Sequence, residues 1–292
     1  MGEIYIKLTD KQLEKIVSES VEKTLKKIGF LTEYGIDVDR DRMEVTYNPK
    51  HQKNLDTSIE NNPSFTVENI EGIEVHKYSL FQRKADDKGD GNPALYSLKR
   101  EKNWVMTNKK DFLKQLNLVL DKFLEEHPQE VIIPLPSTNI LNNQFLNSII
   151  KKLEKVVVCR PLMKMTTNEI WDACEEKDSY FRKYWANQNI DLNQAYDNLS
   201  QNLLWMDKNN NGIFSFHYIK DMKMRESITC TMKCAPEEYI TFNKDINGKD
   251  ILLIDDSITK GQSIRDAIHA IKELYNPKSI SVLTIFSDLK YV

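Results

Sequence analysis

Glycine is scarce in this chain, at 9 of 292 residues, against a usual share of roughly 7%. The nine are Gly2, Gly29, Gly35, Gly72, Gly89, Gly91, Gly212, Gly248 and Gly261. A dinucleotide-binding fingerprint needs the spaced triple G-x-G-x-x-G, and a P-loop needs two glycines followed by Lys and Ser or Thr. Neither occurs. If this backbone holds a phosphate, it must do so with one glycine at a time.

Other absences narrow the class further. Lys+Arg number 41 and Asp+Glu 44, a net charge of −3, so the chain as a whole has no basic field for nucleic acid or an anionic membrane. The cysteines are Cys159, Cys174, Cys230 and Cys234, without a C-x-x-C pair. So few in a chain this long read as reduced intracellular thiols. Cys230 and Cys234 with His217 lack a fourth ligand at a telling spacing for a metal. The start, MGEIYIKLTD, has no apolar stretch of the signal-peptide kind, and Gly2 is not followed by the Ser or Thr of a myristoylation motif. Apolar runs such as ILLI at 251–254 are far too short to span a bilayer. The expectation is a soluble, cytoplasmic protein without a membrane partner.

What is present divides the chain into two styles. Residues 8–28 carry apolar side chains at Leu13, Ile16, Val17, Val21, Leu25 and Ile28, the spacing of an amphipathic helix capped by Thr9 or Asp10. Residues 31–70 read as irregular, with one short strand around Met43–Tyr47. Residues 73–84 and 94–106 read as the arms of a β-hairpin whose tip is ADDKGDGNP. A helix is predicted over 109–126.

From residue 130 short apolar strands alternate with helices. Strands are predicted at 131–136, 155–159, 213–219, 237–243, 251–255 and 279–286. Helices are predicted over 140–153 and 262–275, with two more across 167–206 joined near Asn187–Asp191. That alternation predicts an α/β class with a parallel sheet covered by helices. The domain boundary is placed at His127-Pro128. Residues 1–127 then form an N-terminal α+β extension, and 128–292 a core domain with a helical insertion at 167–212.

The stretch richest in chemistry is 251–263, ILLIDDSITKGQS. Four aliphatic residues make a buried strand, and Asp255 and Asp256 stand at its C-terminal end, where open α/β sheets bind ligands. A hydroxyl-rich turn with one glycine follows, and then a helix begins. Backbone N–H groups at a helix N-terminus attract anions, Thr259 and Ser263 add hydroxyls, and Gly261 permits close approach. Acids beside an anion cradle suit the hydroxyls of the same ligand, or a metal near it. A sugar phosphate meets both demands. A plain βα turn capped by Asp, or another phosphate site, is the alternative reading of these residues.

This segment resembles the phosphoribosyl pyrophosphate (PRPP) motif of type I phosphoribosyltransferases: aliphatic strand, paired acids, then a hydroxyl and glycine loop. Lys260 and Gln262 depart from the small residues more usual there. The resemblance spans residues 130–287 and is nearest to amidophosphoribosyltransferase-like proteins of the competence-protein F type, which carry a similar strand and Pro-x-Pro element. It implies the type I fold, a parallel sheet flanked by helices. It assigns the 5′-phosphate to Ser257, Ile258, Thr259, Lys260, Gly261, Gln262 and Ser263.

The resemblance further implies a pyrophosphate loop at Pro136, Ser137, Thr138 and Asn139, after the strand at 131. Arg160 and Lys164 follow the second strand, and Lys220, Lys223 and Arg225 follow the third. The chain has only 8 arginines, so two at strand ends is suggestive. Arg grips phosphate bidentately and Lys acts as a point charge. Arg160, Lys164 and Lys223 are assigned to pyrophosphate, Arg225 to catalysis, and residues 220–232 to a loop that closes over PRPP.

The activity implied is transfer of the phosphoribosyl group to a nitrogen acceptor resembling a nucleobase, with release of pyrophosphate, at catalytic Asp255 and Asp256. Mg²⁺ would be held by those two acids, directly or through water. The alternative is a PRPP- or nucleotide-binding regulator or defence-type effector that uses the fold without transfer. In that case residues 1–127 would meet a protein or nucleic-acid partner. A homodimer is compatible with either. No acceptor and no general base is legible. Trp171, Tyr180, Phe181, Tyr184, Trp185 and Trp205 could stack a base, although their helical spacing favours core packing. His217 and His269 read as structural.

Overall fold

The computed structural model describes residues 43–45, 47, 55–86, 89–90, 92–101, 103–137, 139–153, 155–188, 190–236, 246–258 and 261–291. The chain divides into two compact units, Met1–Arg42 and Met43–Val292. The first, with the helix predicted over 8–28, lies outside the described residues, as does the strand predicted at 237–243.

The second unit is mixed α/β with a mostly parallel central sheet flanked by helices. Its strands are β1 (Met43–Val45), β2 (Leu55–Asp56), β3 (Ser64–Ile70), β4 (Ile73–Asp86), β5 (Gly89–Asp90), β6 (Trp104–Met106), β7 (Val131–Pro134), β8 (Val157–Val158), β9 (Leu162–Lys164), β10 (Met232–Cys234), β11 (Asp250–Ser257) and β12 (Ser279–Tyr291). Its α-helices are α1 (Asn92–Lys99), α2 (Lys109–Glu126), α3 (Ile140–Ile150), α4 (Thr167–Glu175), α5 (Tyr180–Asn187), α6 (Leu192–Asn209), α7 (Met222–Ser227) and α8 (Gln262–Leu274). The sheet runs β2-β4-β12-β11-β7-β8, with β3 and β5 also paired to β4. All neighbours from β4 to β8 along this path are parallel.

Side chains alternate across the strands, so each strand feeds two core layers. Leu252 and Ile254 of β11, Ile132 of β7 and Leu283 and Ile285 of β12 pack with α1, α2 and α3. Ile251 and Leu253, Val131 and Ile133, and Ile280 and Val282 pack with α8 on the other face. Burial on both faces explains why these strands read as continuous apolar runs. A third apolar cluster joins α4 to α7 and includes Ile170, Phe181, Trp185, Leu199 and Phe214.

Three predicted features differ. The partner of β4 in the hairpin is β3 on its N-terminal side, turning through Glu71 and Gly72, both at positive φ. Residues 94–106 form α1 and the short β6, which pairs with β1. The apolar side chains of α1 (Ala94, Leu95 and Leu98) occupy one helical face that a period-two reading mistakes for a strand. At 213–219 there is no strand. Ile213 makes a single bridge to Thr166, and Phe216–Tyr218 is a 3-10 turn whose aromatic rings pack on the helical cluster. The segment 167–206 contains three helices, because Ser179 starts a new one by capping α5.

The sheet also runs across the boundary expected at His127-Pro128. Strand β4 lies beside β12 over Ile280–Tyr291, within the single unit that begins at Met43. Residues 64–126 thus supply sheet strands and two of the three helices covering one face.

Candidate functional site

The strand order reverses between β7 and β11. From β7 the chain passes through α3 to β8 on one side, and from β11 through α8 to β12 on the other. Such a switch point splays the two loops at the strand C-termini and leaves a crevice between them. Here the two loops are 135–139 and the one between Ser257 and Gln262. They are tied at the base by Leu135 N donating to the Ile254 carbonyl at 2.9 Å.

A cavity of about 430 Å³ opens beside the second loop. Asp255, Ser257, Ile258, Gly261, Gln262 and Ser263 line one side. Tyr180 and Tyr184 of α5, Phe216 of the 3-10 turn, and Met222, Arg225 and Glu226 of α7 close the other. Gly261 has φ +73° at the N-terminus of α8, in the left-handed region where glycine is favoured. Thr259 and Lys260 lie outside the described residues.

The two acids occupy different environments. Asp256 is almost fully buried and accepts the Lys99 ammonium at 2.7 Å and the Ser257 hydroxyl at 2.8 Å. Asp255 faces the cavity, and one of its oxygens accepts the Asp256 N–H at 2.8 Å. Burial, reinforced by the neighbouring Asp256 charge, holds the Asp255 carboxyl well above the usual carboxylate range, although the ammoniums of Lys99 and Lys164 oppose this. Lys164 on β9 is correspondingly pushed down by burial, while the two aspartates pull it up.

The donor set suits Mg²⁺ only in part. Mg²⁺ is commonly held by one or two carboxylates plus ligand phosphates and water. Asp255 offers such a carboxylate beside the cavity, whereas Asp256 is committed to Lys99 and Ser257. Among the described residues no group of three or more His, Cys, Asp or Glu is placed to hold a metal ion, Cys230, Cys234 and His217 included. All four cysteines are free thiols.

Of the remaining residues singled out from sequence, Arg225 reaches the cavity. It does so from a helical turn rather than an open loop. Asp221 caps α7 by accepting Lys223 N at 2.8 Å and Met224 N at 3.3 Å, and Arg225 Nε donates to the Ile219 carbonyl. Lys223 and Lys220 line other cavities. Pro136, Ser137 and Asn139 sit in the 135–139 loop but do not line this cavity. There Ser137 accepts Asn139 N at 3.0 Å and Asn139 caps α3. Thr138 lies outside the described residues, and Arg160 is exposed after β8. Among the aromatics, Tyr180 and Tyr184 line the cavity, Phe181 and Trp185 are core, and Trp171 packs against that core. The Tyr184 hydroxyl donates to Glu226 at 3.0 Å, and burial with that carboxylate pushes its pKa up to about 12.

Sequence reasoning missed several supports. Lys99 ends α1, 157 positions before Asp256, and nothing in its local pattern marks it. Arg83 on β4 is 4% exposed and donates to the carbonyls of Ser287 and Ile258 and to Asn92 Oδ1, at 2.7, 2.9 and 2.7 Å. It fastens the 258 loop to β12 and α1. Flanked by Gln82 and Lys84 in a strand of mixed polarity, it carries no local mark of its burial. Asp266 of α8, also buried, accepts Gln262 Nε2 at 2.7 Å, Cys230 N at 3.0 Å, Thr231 N at 2.9 Å and the Thr231 hydroxyl. It thereby joins the start of α8 to the segment after α7. No helix among the described residues is long and apolar enough to cross a membrane.

No protein-family model matches the chain, and a search of curated proteins finds no match.

Proposed function

We propose that the cavity beside Asp255 binds PRPP, and that the protein is a phosphoribosyltransferase of the type I fold. The observation that carries this reading is the gathering of an acid, a single-glycine anion loop and an arginine in one cavity beside the C-terminal end of β11. The N-terminal amides of α8, with the Ser263 hydroxyl, hold the 5′-phosphate as an anchor. Asp255 orients the ribose hydroxyls and offsets positive charge on the ring. Arg225 grips the pyrophosphate.

The reaction breaks the bond between the ribose anomeric carbon and a pyrophosphate oxygen and forms one to an acceptor nitrogen. Its transition state has oxocarbenium character. Mg²⁺, when bound, neutralises the leaving pyrophosphate, and Asp255 is the residue we assign to hold it. Asp256 acts from behind. Paired with Lys99 and Ser257, it fixes the strand end and does not meet the ligand.

A second reading, PRPP binding without transfer, draws support from that same pairing, because it removes one of the two acids from the ligand. Calorimetry with PRPP and Mg²⁺, together with pyrophosphate release across a panel of bases, separates the two. Turnover with any base supports the transferase, and saturable binding without turnover supports the sensor. Asp255→Asn should reduce PRPP affinity at least about tenfold, the scale of one lost charge-assisted contact. Unchanged affinity and activity in that variant would sink both readings.

A further inference from the structure

On the side of α7 away from the Asp255 cavity, two further cavities of about 750 and 340 Å³ share Asn198 and Asp221 in their linings. Their linings combine three kinds of chemistry. Trp205 is 48% exposed, with the Tyr218 ring 4.7 Å from its own. Asn198, Gln201, Asn202 and Trp205 recur at helical spacing on α6, so a row of carboxamides leads about 10 Å along the axis to the indole. Lys220 and Lys223 add positive charge. Asp221 lines both cavities as well; its Oδ1 caps α7, and its charge offsets one of the two lysines and leaves the other in excess. Deeper in the smaller cavity's lining is Trp185, whose buried indole N–H meets no acceptor among the described residues.

We propose that these joined cavities form a second nucleotide site, distinct from the Asp255 cavity. A base stacks on Trp205, the carboxamides of Asn198 and Gln201 on α6 read its edge, and Lys220 and Lys223 meet phosphate, while the Asn202 amide donates to the Asn198 carbonyl at 2.7 Å. Aromatic faces hold bases by stacking, and Asn and Gln present the paired donor and acceptor that match a base edge. The lysines distinguish this ligand from a neutral glycan, which would use the indole and carboxamides but not the cations. A free nucleotide and a single-stranded oligonucleotide share this chemistry. The proposal does not depend on what the Asp255 cavity binds.

The test is equilibrium dialysis of the full chain with labelled AMP and with an octa-adenylate, in an Asp255→Asn/Ser263→Ala background that disables the first cavity. Binding should persist there, fall by about tenfold or more on adding Trp205→Ala, and recover to within about threefold with Trp205→Phe. It should also weaken with salt in proportion to the lysine contacts. Comparable affinity for AMP and the octamer assigns a free nucleotide, and much tighter octamer binding assigns a single strand; either supports the site. Trp205 is half exposed, and an unchanged melting temperature in Trp205→Ala excludes misfolding as the cause of lost binding. The proposal fails if neither probe binds, if binding vanishes in the background, if Trp205→Ala leaves it unchanged, or if maltotriose binds in place of both probes.

Discussion

Asp255 and Asp256 are adjacent and chemically identical, yet the fold gives them unlike surroundings. The strand pleat points neighbours to opposite faces, so one carboxylate meets the cavity and the other meets Lys99. Removing Lys99 leaves a carboxylate that is 4% exposed without its cation. Lys99→Met should therefore cost about 3–5 kcal/mol in urea unfolding, the range for breaking a buried ion pair by removing one partner. Lys99→Met/Asp256→Asn should recover most of it, and equal losses in the single and double variants would refute the pairing argument. Gly261 raises a different question. A Cβ there would come no nearer than 3.9 Å to Arg265, so space is not limiting. The cost of Gly261→Ala is backbone strain at φ +73°, about 1 kcal/mol. Thermal unfolding should show that modest loss, while PRPP affinity, which depends on loop shape, should fall further.

At the scale of elements, the long strand β4 is held by polar ties as well as by its ladder. Arg83 links it to β12, α1 and the 258 loop. On its other side Asp56 of β2 anchors the turn before β3. Burial pushes the Asp56 carboxyl up. Hydrogen bonds from Ser58 N, the Ser58 hydroxyl and Asn61, with Lys84 at 3.5 Å, more than offset this and leave it below its ordinary value of 3.8. The folded state thus favours the ionised form. Its contribution is complete above the unfolded value and is lost as pH falls through the lower folded value. Urea midpoints should therefore drop between about pH 5 and pH 3 by more in the wild type than in Asp56→Asn. A parallel drop in both proteins would remove Asp56 from the acid response.

For the whole molecule the decisive relation is between β4 and β12, separated by almost 200 positions yet paired along most of their length. A protein cut at the boundary expected from sequence, residues 128–292, would present β12 as a long open edge and would lose α1, α2 and Lys99 from one face. Such a fragment should show no cooperative urea transition and should aggregate, whereas 43–292 should unfold in a single transition. Cooperative folding of 128–292 would restore the earlier boundary.

The sequence by itself determined what is local and periodic. The apolar runs of β7, β11 and β12, the helices α2, α3 and α8, and the acid, hydroxyl and glycine order of 255–263 are legible because strand burial, helical spacing and anion loops each leave a short-range pattern. The scarcity of glycine directed attention to Gly261 for the same reason. Only the tertiary structure decided what depends on pairing between distant segments. It showed β3 rather than 94–106 as the partner of β4, and it made α1 a helix whose last residue neutralises Asp256. It also separated Arg225, which faces the Asp255 cavity, from Lys223, which does not. A short helix carries too few residues to declare its face, and an ion pair between a helix end and a distant strand leaves no mark in either partner's neighbourhood.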